Sequence, residues 1–270
     1  MSRTRALIVL TNAALLLLSA CADATTDQPT PEAARRFLKL RGYEFNEESY
    51  FKAASDGDVM AVNGFVSAGM NVDVKDGNGD TTLTASAARG DANMVAALLR
   101  KGADVNAKGR NNWTALLLAL QDQHEAVADL LLAQPNLDVT PQTPEGATAL
   151  MVAVWHQEEN AVRAFLKRSV DINHQDNDGD AAVHGAALYG NTKIMGLLLD
   201  AQANPNVKNK LGGTPLMWAT AYGYDEVVRM LLSRGADPKI KDVDGVTAAG
   251  WAAKNGRGSL EIMLRAAEKN

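Results

Sequence analysis

The chain has 270 residues, 46% hydrophobic and 22% charged, with 27 Lys+Arg against 32 Asp+Glu for a net charge of −5. That balance argues against a nucleic-acid partner, because phosphate binding needs a basic stripe, and against electrostatic adhesion to anionic lipid. The single cysteine, Cys21, leaves no partner for an intrachain disulfide and no thiol set for a metal or redox centre.

The N-terminus reads as an address. Arg3 and Arg5 precede an apolar run, Ala6 to Leu18, broken only by Thr11 and Asn12. A run of about 13 residues is short of the ~20 that span a bilayer, so residues 1–20 read as a signal peptide. Leu18-Ser19-Ala20-Cys21 resembles the bacterial lipoprotein signal. The resemblance implies that Cys21 is lipidated and becomes the mature N-terminus; the alternative is an ordinary secretory signal with an incidental cysteine. Removing residues 1–20 takes two arginines and no acid, so the net charge moves from −5 to −7. The membrane link is then the N-terminal lipid alone, and stable anchoring needs more than one acyl chain. Bacterial lipoproteins carry three, as the resemblance implies. Ala22, not Asp, follows Cys21, which under enterobacterial-type sorting favours the outer over the inner membrane.

Residues 21–30 hold no large apolar side chain and read as a flexible tether. Thr30-Pro31-Glu32 is a helix start: a hydroxyl cap, a proline in the first turn, an acid at the positive end of the dipole. Residues 31–47 therefore read as a capping helix region, with continued tether as the alternative.

From residue 48 to 270 the chain repeats. Equivalent positions fall at 48, 81, 114, 148, 181, 214 and 247, a period of 33 with one step of 34. Such a period marks a solenoid, which offers a long surface of equivalent positions. In the copy from Thr81, Ala85 to Ala88 forms a small-residue helix that Gly90 ends. Asp91-Ala92-Asn93 starts a second helix, with Met94, Val95, Leu98 and Leu99 on one face. Gly102 ends it, and Lys108 to Asn112 forms a projecting turn. The leucine pair recurs as Phe65-Val66, Leu131-Leu132, Phe165-Leu166, Leu198-Leu199 and Leu231-Leu232. One unit's apolar face is too small to stand alone, so neighbours must stack on it.

Thr214-Pro215-Leu216-Met217-Trp218-Ala219-Thr220-Ala221-Tyr222-Gly223, Ala181 to Gly190 and Leu98 to Asn106 carry the opening and closing motifs of ankyrin repeats. The resemblance covers about Glu48 to Ala267. It implies an all-α ankyrin-repeat solenoid of stacked helix-turn-helix units with β-turn fingers, about seven repeats, the last a C-terminal cap. Only His184 keeps the family's opening-motif histidine; Phe51, Thr84, Leu117, Met151, Met217 and Gly250 replace it. In the family that side chain helps join one finger to the next, so those joints are expected to be less rigid. Gln134 to Pro144 replaces the usual glycine turn with one extra residue and three prolines, and an altered or displaced finger is expected there.

Ankyrin domains use the finger tips and the concave groove lined by their first helices, and the resemblance leaves four positions free: the one before the opening residue, the fifth, the eighth and the ninth. All four tryptophans fall there. Trp113 precedes Thr114, Trp155 is eighth in its copy, and Trp218 and Trp251 are fifth; His156, Tyr189 and Tyr222 are ninth. Tryptophan and tyrosine dominate interface hot spots, so these seven residues form the candidate partner-binding set. Packing of the rings between neighbouring repeats is the alternative.

Two polar fingers, Asp76 to Asp80 and Asp176 to Asp180, lack the glycine and glutamate that an EF-hand needs at its sixth and twelfth positions, so they read as turn formers. His124, His156, His174 and His184 occupy unrelated register positions, and no phosphate loop or nucleophile elbow occurs. The sequence thus predicts no enzyme, no catalytic residue, no cofactor and no metal. It predicts a monomeric interaction scaffold, lipid-anchored in the bacterial cell envelope and facing the periplasm, that binds a protein or peptide in its groove. An immunity or chaperone-like protein for one envelope enzyme or toxin, and a structural spacer, are the alternatives.

Overall fold

The computed structural model describes residues 29–269. The signal peptide, Cys21 and the tether as far as Gln28 lie outside the described residues. Among them, fifteen α-helices and one 3-10 turn alternate with loops, and β structure is confined to isolated bridges such as Lys75 with Thr81 and Gln142 with Thr148. The chain divides into two compact units, Met1–Leu118 and Ala119–Asn270.

In the first unit, Thr30 accepts a hydrogen bond from the Ala33 N–H and Pro31 presets the first turn of α1 (Pro31–Leu40). Ala34, Phe37 and Leu38 are buried where α1 packs on α3 (Val59–Ser67). Gly64 allows that approach: a Cβ there would lie 3.1 Å from Phe37 Cδ1. Asp58 caps α3 and also holds Arg41 at 2.7 Å. Helix α2 (Glu47–Ser55) is capped by Asn46 and so begins ahead of Glu48. Tyr43, Phe45 and Tyr50 surround Phe65 with ring centroids 6.0, 6.0 and 5.7 Å away. Helices α4 (Thr82–Ala88) and α5 (Ala92–Arg100) form the next pair, and the Arg110–Asn112 turn follows. Thr84, standing where the family has histidine, accepts from the Thr81 N–H (2.9 Å) while Thr81 accepts from the Thr84 N–H (3.1 Å). That capping box satisfies two donors that the helix start would otherwise leave open.

Helix α6 (Ala115–Gln121) crosses the boundary in sequence. In the second unit α8 (Ala149–Trp155), α10 (Ala182–Tyr189), α12 (Pro215–Tyr222) and α14 (Ala248–Lys254) pack in succession as one row. Helices α7 (Glu125–Leu132), α9 (Glu159–Leu166), α11 (Thr192–Asp200) and α13 (Asp225–Ser233) form the other, and α15 (Gly258–Ala267) packs on α14. In both units the first member of each predicted leucine pair (Phe65, Leu98, Leu131, Phe165, Leu198, Leu231) is fully buried. Each such side chain contributes about 1.5–3 kcal/mol. Of the second members, Leu132 and Leu199 are buried while Val66, Leu99, Leu166 and Leu232 are half-exposed.

The proline-rich stretch corrects one expectation. The Thr143 N–H donates to Ala147 O and the Gly146 N–H to Thr143 O, both at 2.9 Å. Asp176 with Asp180 and Gly179 with Asp176 repeat that pattern. The finger itself is therefore regular, and the extra residue is absorbed before Gln142. Where the glycine turn is missing, Gln134 Nε2 reaches Leu130 O (3.1 Å) and Arg168 Nη2 reaches Leu132 O (2.6 Å) and Gln134 O (3.0 Å). These side chains satisfy carbonyls that a helix end leaves open.

Candidate functional site

The register places the candidate aromatics, and packing then divides them. Trp113 follows the Arg110–Asn112 turn of the first unit and is half-buried, its carbonyl accepting from the Gly109 N–H at 2.8 Å. In the second unit Trp155 ends α8 and His156 caps it, both half-buried. The indole of Trp155 lies against Gly185 of the next copy. Tyr189 and Tyr222 are 43% and 47% exposed at the ends of α10 and α12. Tyr222 stacks between Trp218 (6.4 Å) and Tyr224 (6.1 Å), and the Tyr224 ring covers Gly190, where no Cβ could fit. Trp251 donates its indole N–H to Asp242 at 2.8 Å.

Fingers complete the surface. Asp76, Asp176, Asn209 and Asp242 each turn their side-chain oxygen onto the backbone N–H groups two and four residues on. They are turn formers by direct geometry. Main-chain bonds then join finger to finger: Asn177 N–H to Glu145 O, Lys210 N–H to Asp178 O and Val243 N–H to Leu211 O, at 2.9, 2.9 and 3.0 Å. His184 is buried. Its Nδ1 accepts from the Ala181 N–H (3.0 Å), which places the proton on Nε2 for donation to Gly213 O (3.2 Å). Burial lowers its pKa and favours this neutral form, against the nearby Asp180 carboxylate. Other joints carry other links: His174 Nε2 meets Gly146 O, Gln175 reaches Lys208 O and Lys208 reaches Lys241 O, each at 2.9 Å.

Between these fingers and the first-row helices lies a pocket of about 190 Å³. Its apolar wall is Leu211, Met217, Trp218, Ala221, Val243 and Trp251, and its charged residues are Asp242 and Asp244. The structure thus brings together two of the seven candidates, Trp218 and Trp251, with Tyr222 stacked behind the first. Trp155, His156 and Tyr189 are not in the pocket wall. Sequence reasoning missed Leu211 and Val243. An apolar residue at the tip of an otherwise polar turn was the available signal. Among the described residues no group of three or more His, Cys, Asp or Glu is placed to hold a metal ion, and no helix is long and apolar enough to cross a membrane.

The family model described as "Ankyrin repeats (3 copies)" matches residues 50–143, 112–176, 150–242 and 183–270. The chain belongs to the ankyrin-repeat family. An ankyrin repeat-containing protein of Treponema pallidum (strain Nichols) is 32% identical to this ankyrin-repeat chain over 143 residues, 52% of the chain and 47% of the relative. The chain thus spans less than half the length of that relative. The crystal structure of the ankyrin repeat domain of Bcl-3 matches at a TM-score of 0.65 and 28% identity, covering 75% of this chain and 92% of that one. An ankyrin repeat domain from Acinetobacter baumannii AYE matches at 0.64 and 26%, covering 68% and 96%. Ankyrin repeats form protein–protein interaction scaffolds, and the fold is typically a non-catalytic interaction domain.

Proposed function

We propose that this ankyrin-repeat protein is a non-enzymatic scaffold, anchored in the bacterial cell envelope by lipid on Cys21, that holds a protein or peptide partner in the groove of its second unit. It acts as a monomer facing the periplasm, with the outer membrane favoured because Ala22 follows Cys21. The observation that carries the binding reading is the exposure of Tyr189 and Tyr222 on successive first-row helices, 43% and 47%. A large ring that ends with a wet hydroxyl is the side chain interfaces use most heavily. The anchor reading rests on Leu18-Ser19-Ala20-Cys21 after a short apolar run.

Two measurements test the two halves. Cys21→Ser should move the protein from the membrane fraction to the soluble one and abolish incorporation of labelled palmitate; unchanged fractionation refutes the anchor. Tyr189→Ala, Trp218→Ala and Tyr222→Ala together should abolish co-purification of the partner captured by wild type while shifting the thermal melt little. A collapsed melt with capture retained by the folded fraction refutes the groove.

A further inference from the structure

The pocket beside Trp218 has a specific chemistry. At about 190 Å³ it exceeds the ~150 Å³ apolar cavity that takes up benzene, so one aromatic ring or branched aliphatic side chain fills it. Leu211 and Val243 at the finger tips are 66% and 68% exposed. Their main chains are joined, Val243 N–H to Leu211 O, while both apolar side chains stand mostly in solvent. Asp242 and Asp244 are the charged residues of the lining. Burial works to raise the Asp242 pKa, but hydrogen bonds from the Val246 N–H, the Trp251 indole and the Asp244 N–H, with Lys254 nearby, hold it below the usual carboxylate range. The rim therefore stays negative. The indole N–H of Trp218 is enclosed without a hydrogen-bond partner.

We infer that this pocket receives one bulky apolar side chain from an extended segment of a partner protein, with a lysine or arginine beside it in that segment lying against Asp242 and Asp244. The inference rests on the scaffold reading and adds the chemistry of the occupant. The apolar anchor provides affinity and the acidic rim selects the flank.

Peptides of the form acetyl-Gly-Lys-Xaa-Lys-Gly-amide, titrated into the full chain and read by tryptophan fluorescence, test this. With Leu or Phe at Xaa the peptide should bind about tenfold tighter than with Ala. Replacing both lysines by glutamate should weaken binding about fivefold at low salt, a gap that closes as salt is raised. Ala221→Phe fills the pocket and should abolish the Leu-over-Ala preference. Leu211→Ser with Val243→Ser, at exposed tips that leave the core intact, should reduce it. Absence of saturable binding by either lysine peptide, equal binding of the Leu and Ala peptides, or wild-type behaviour of all three substitutions overturns the inference. So does a concentration-dependent dimer that Leu211→Ser and Val243→Ser dissolve, which assigns the pocket to a second copy of the chain. A partner captured equally well with the pocket filled overturns the inference alone. Peptide binding without any partner capture leaves the pocket and overturns the scaffold reading.

Discussion

The Trp155 indole occupies the space in which Gly185 would carry a side chain: a Cβ on Gly185 would lie 2.8 Å from Trp155 Cδ1 and 3.0 Å from Nε1. The two residues belong to neighbouring copies. Position five is tryptophan in the copies from Thr214 and Thr247 but glycine in the copy from Ala181, because the eighth-position ring of the copy before it already fills the gap. Gly185→Ala should therefore destabilise the protein by about 1–3 kcal/mol, although alanine is by ~1 kcal/mol the better helix former. In a Trp155→Ala background the same change should cost nothing further. Urea unfolding of the four chains measures the coupling, and additive effects would show that the ring and the glycine do not compete.

Arg168 replaces a missing turn. Its Nη2 bonds to Leu132 O and Gln134 O where the third copy has proline in place of glycine. Arg168→Ala should cost about 1–3 kcal/mol, the penalty for leaving partly buried carbonyls unpaired. Amide hydrogen exchange should accelerate from Ala133 to Leu137 and stay unchanged at α14. Uniform acceleration along the second unit would mean that Arg168 stabilises globally rather than at this helix end.

The period of 33 residues exposed the helix pairs, the caps and the recurring leucine pairs, because stacking repeats the same demand at the same place, but not which member of each pair is the more buried. It did not separate the tryptophans. Trp155, Trp218 and Trp251 share the free positions of the pattern, yet one packs on Gly185, one stacks on Tyr222 and one is held by Asp242. The Trp155 and Trp251 outcomes depend on a residue of another copy, which a within-copy alignment does not compare, whereas the Trp218–Tyr222 stack lies within one copy. The pocket escaped for the same reason: Leu211 and Val243 stand at different register positions and meet only when consecutive fingers pair. The regular finger after Gln134 to Pro144 was hidden because its turn is built by Thr143, Gly146 and Ala147, after the irregular segment has ended.

Three glutamines sit in glycine's conformation. Gln123, Gln157 and Gln202 have φ of 58, 59 and 68°. Gln123 and Gln157 end first helices where Gly190 and Gly223 end theirs at 68 and 78°, and Gln202 stands where Gly102 and Gly235 do. A residue with a Cβ loses roughly 1–2 kcal/mol in this region, while glycine pays roughly 0.5–1 kcal/mol in extra unfolded-chain entropy. Each Gln→Gly substitution should thus raise stability by up to about 1 kcal/mol, and Gln123 with Gln202, far apart in sequence, should add. Thermal melts of the singles and the pair check this; a lowered melting temperature would mean that the glutamine side chains make contacts worth more than the strain.

Glu158 stands where Asp58, Asp91 and Asn191 cap the second helices of their copies, but it makes no cap bond. Both its carboxylate oxygens are enclosed without a partner. Burial first, then the charges of Glu125 and Asp129, raise its pKa from 4.5 to about 7. The folded chain then keeps a proton that the unfolded chain releases between these two values. Stability contributed by this group is present below the unfolded pKa, falls as pH rises through the window, and is lost above pH 7. Because the residue is only partly buried, solvent screening reduces the effect to about 1–2 kcal/mol. Glu158→Gln removes the ionisation and should be more stable than wild type by that amount at pH 8 and nearly equal to it at pH 5. Glu158→Asn should add a cap worth about 1 kcal/mol at both pH values. Urea unfolding of the three chains at pH 5 and 8 separates the two effects, since every other titrating group is common to them. A difference between wild type and Glu158→Gln that does not change with pH would show that Glu158 titrates normally.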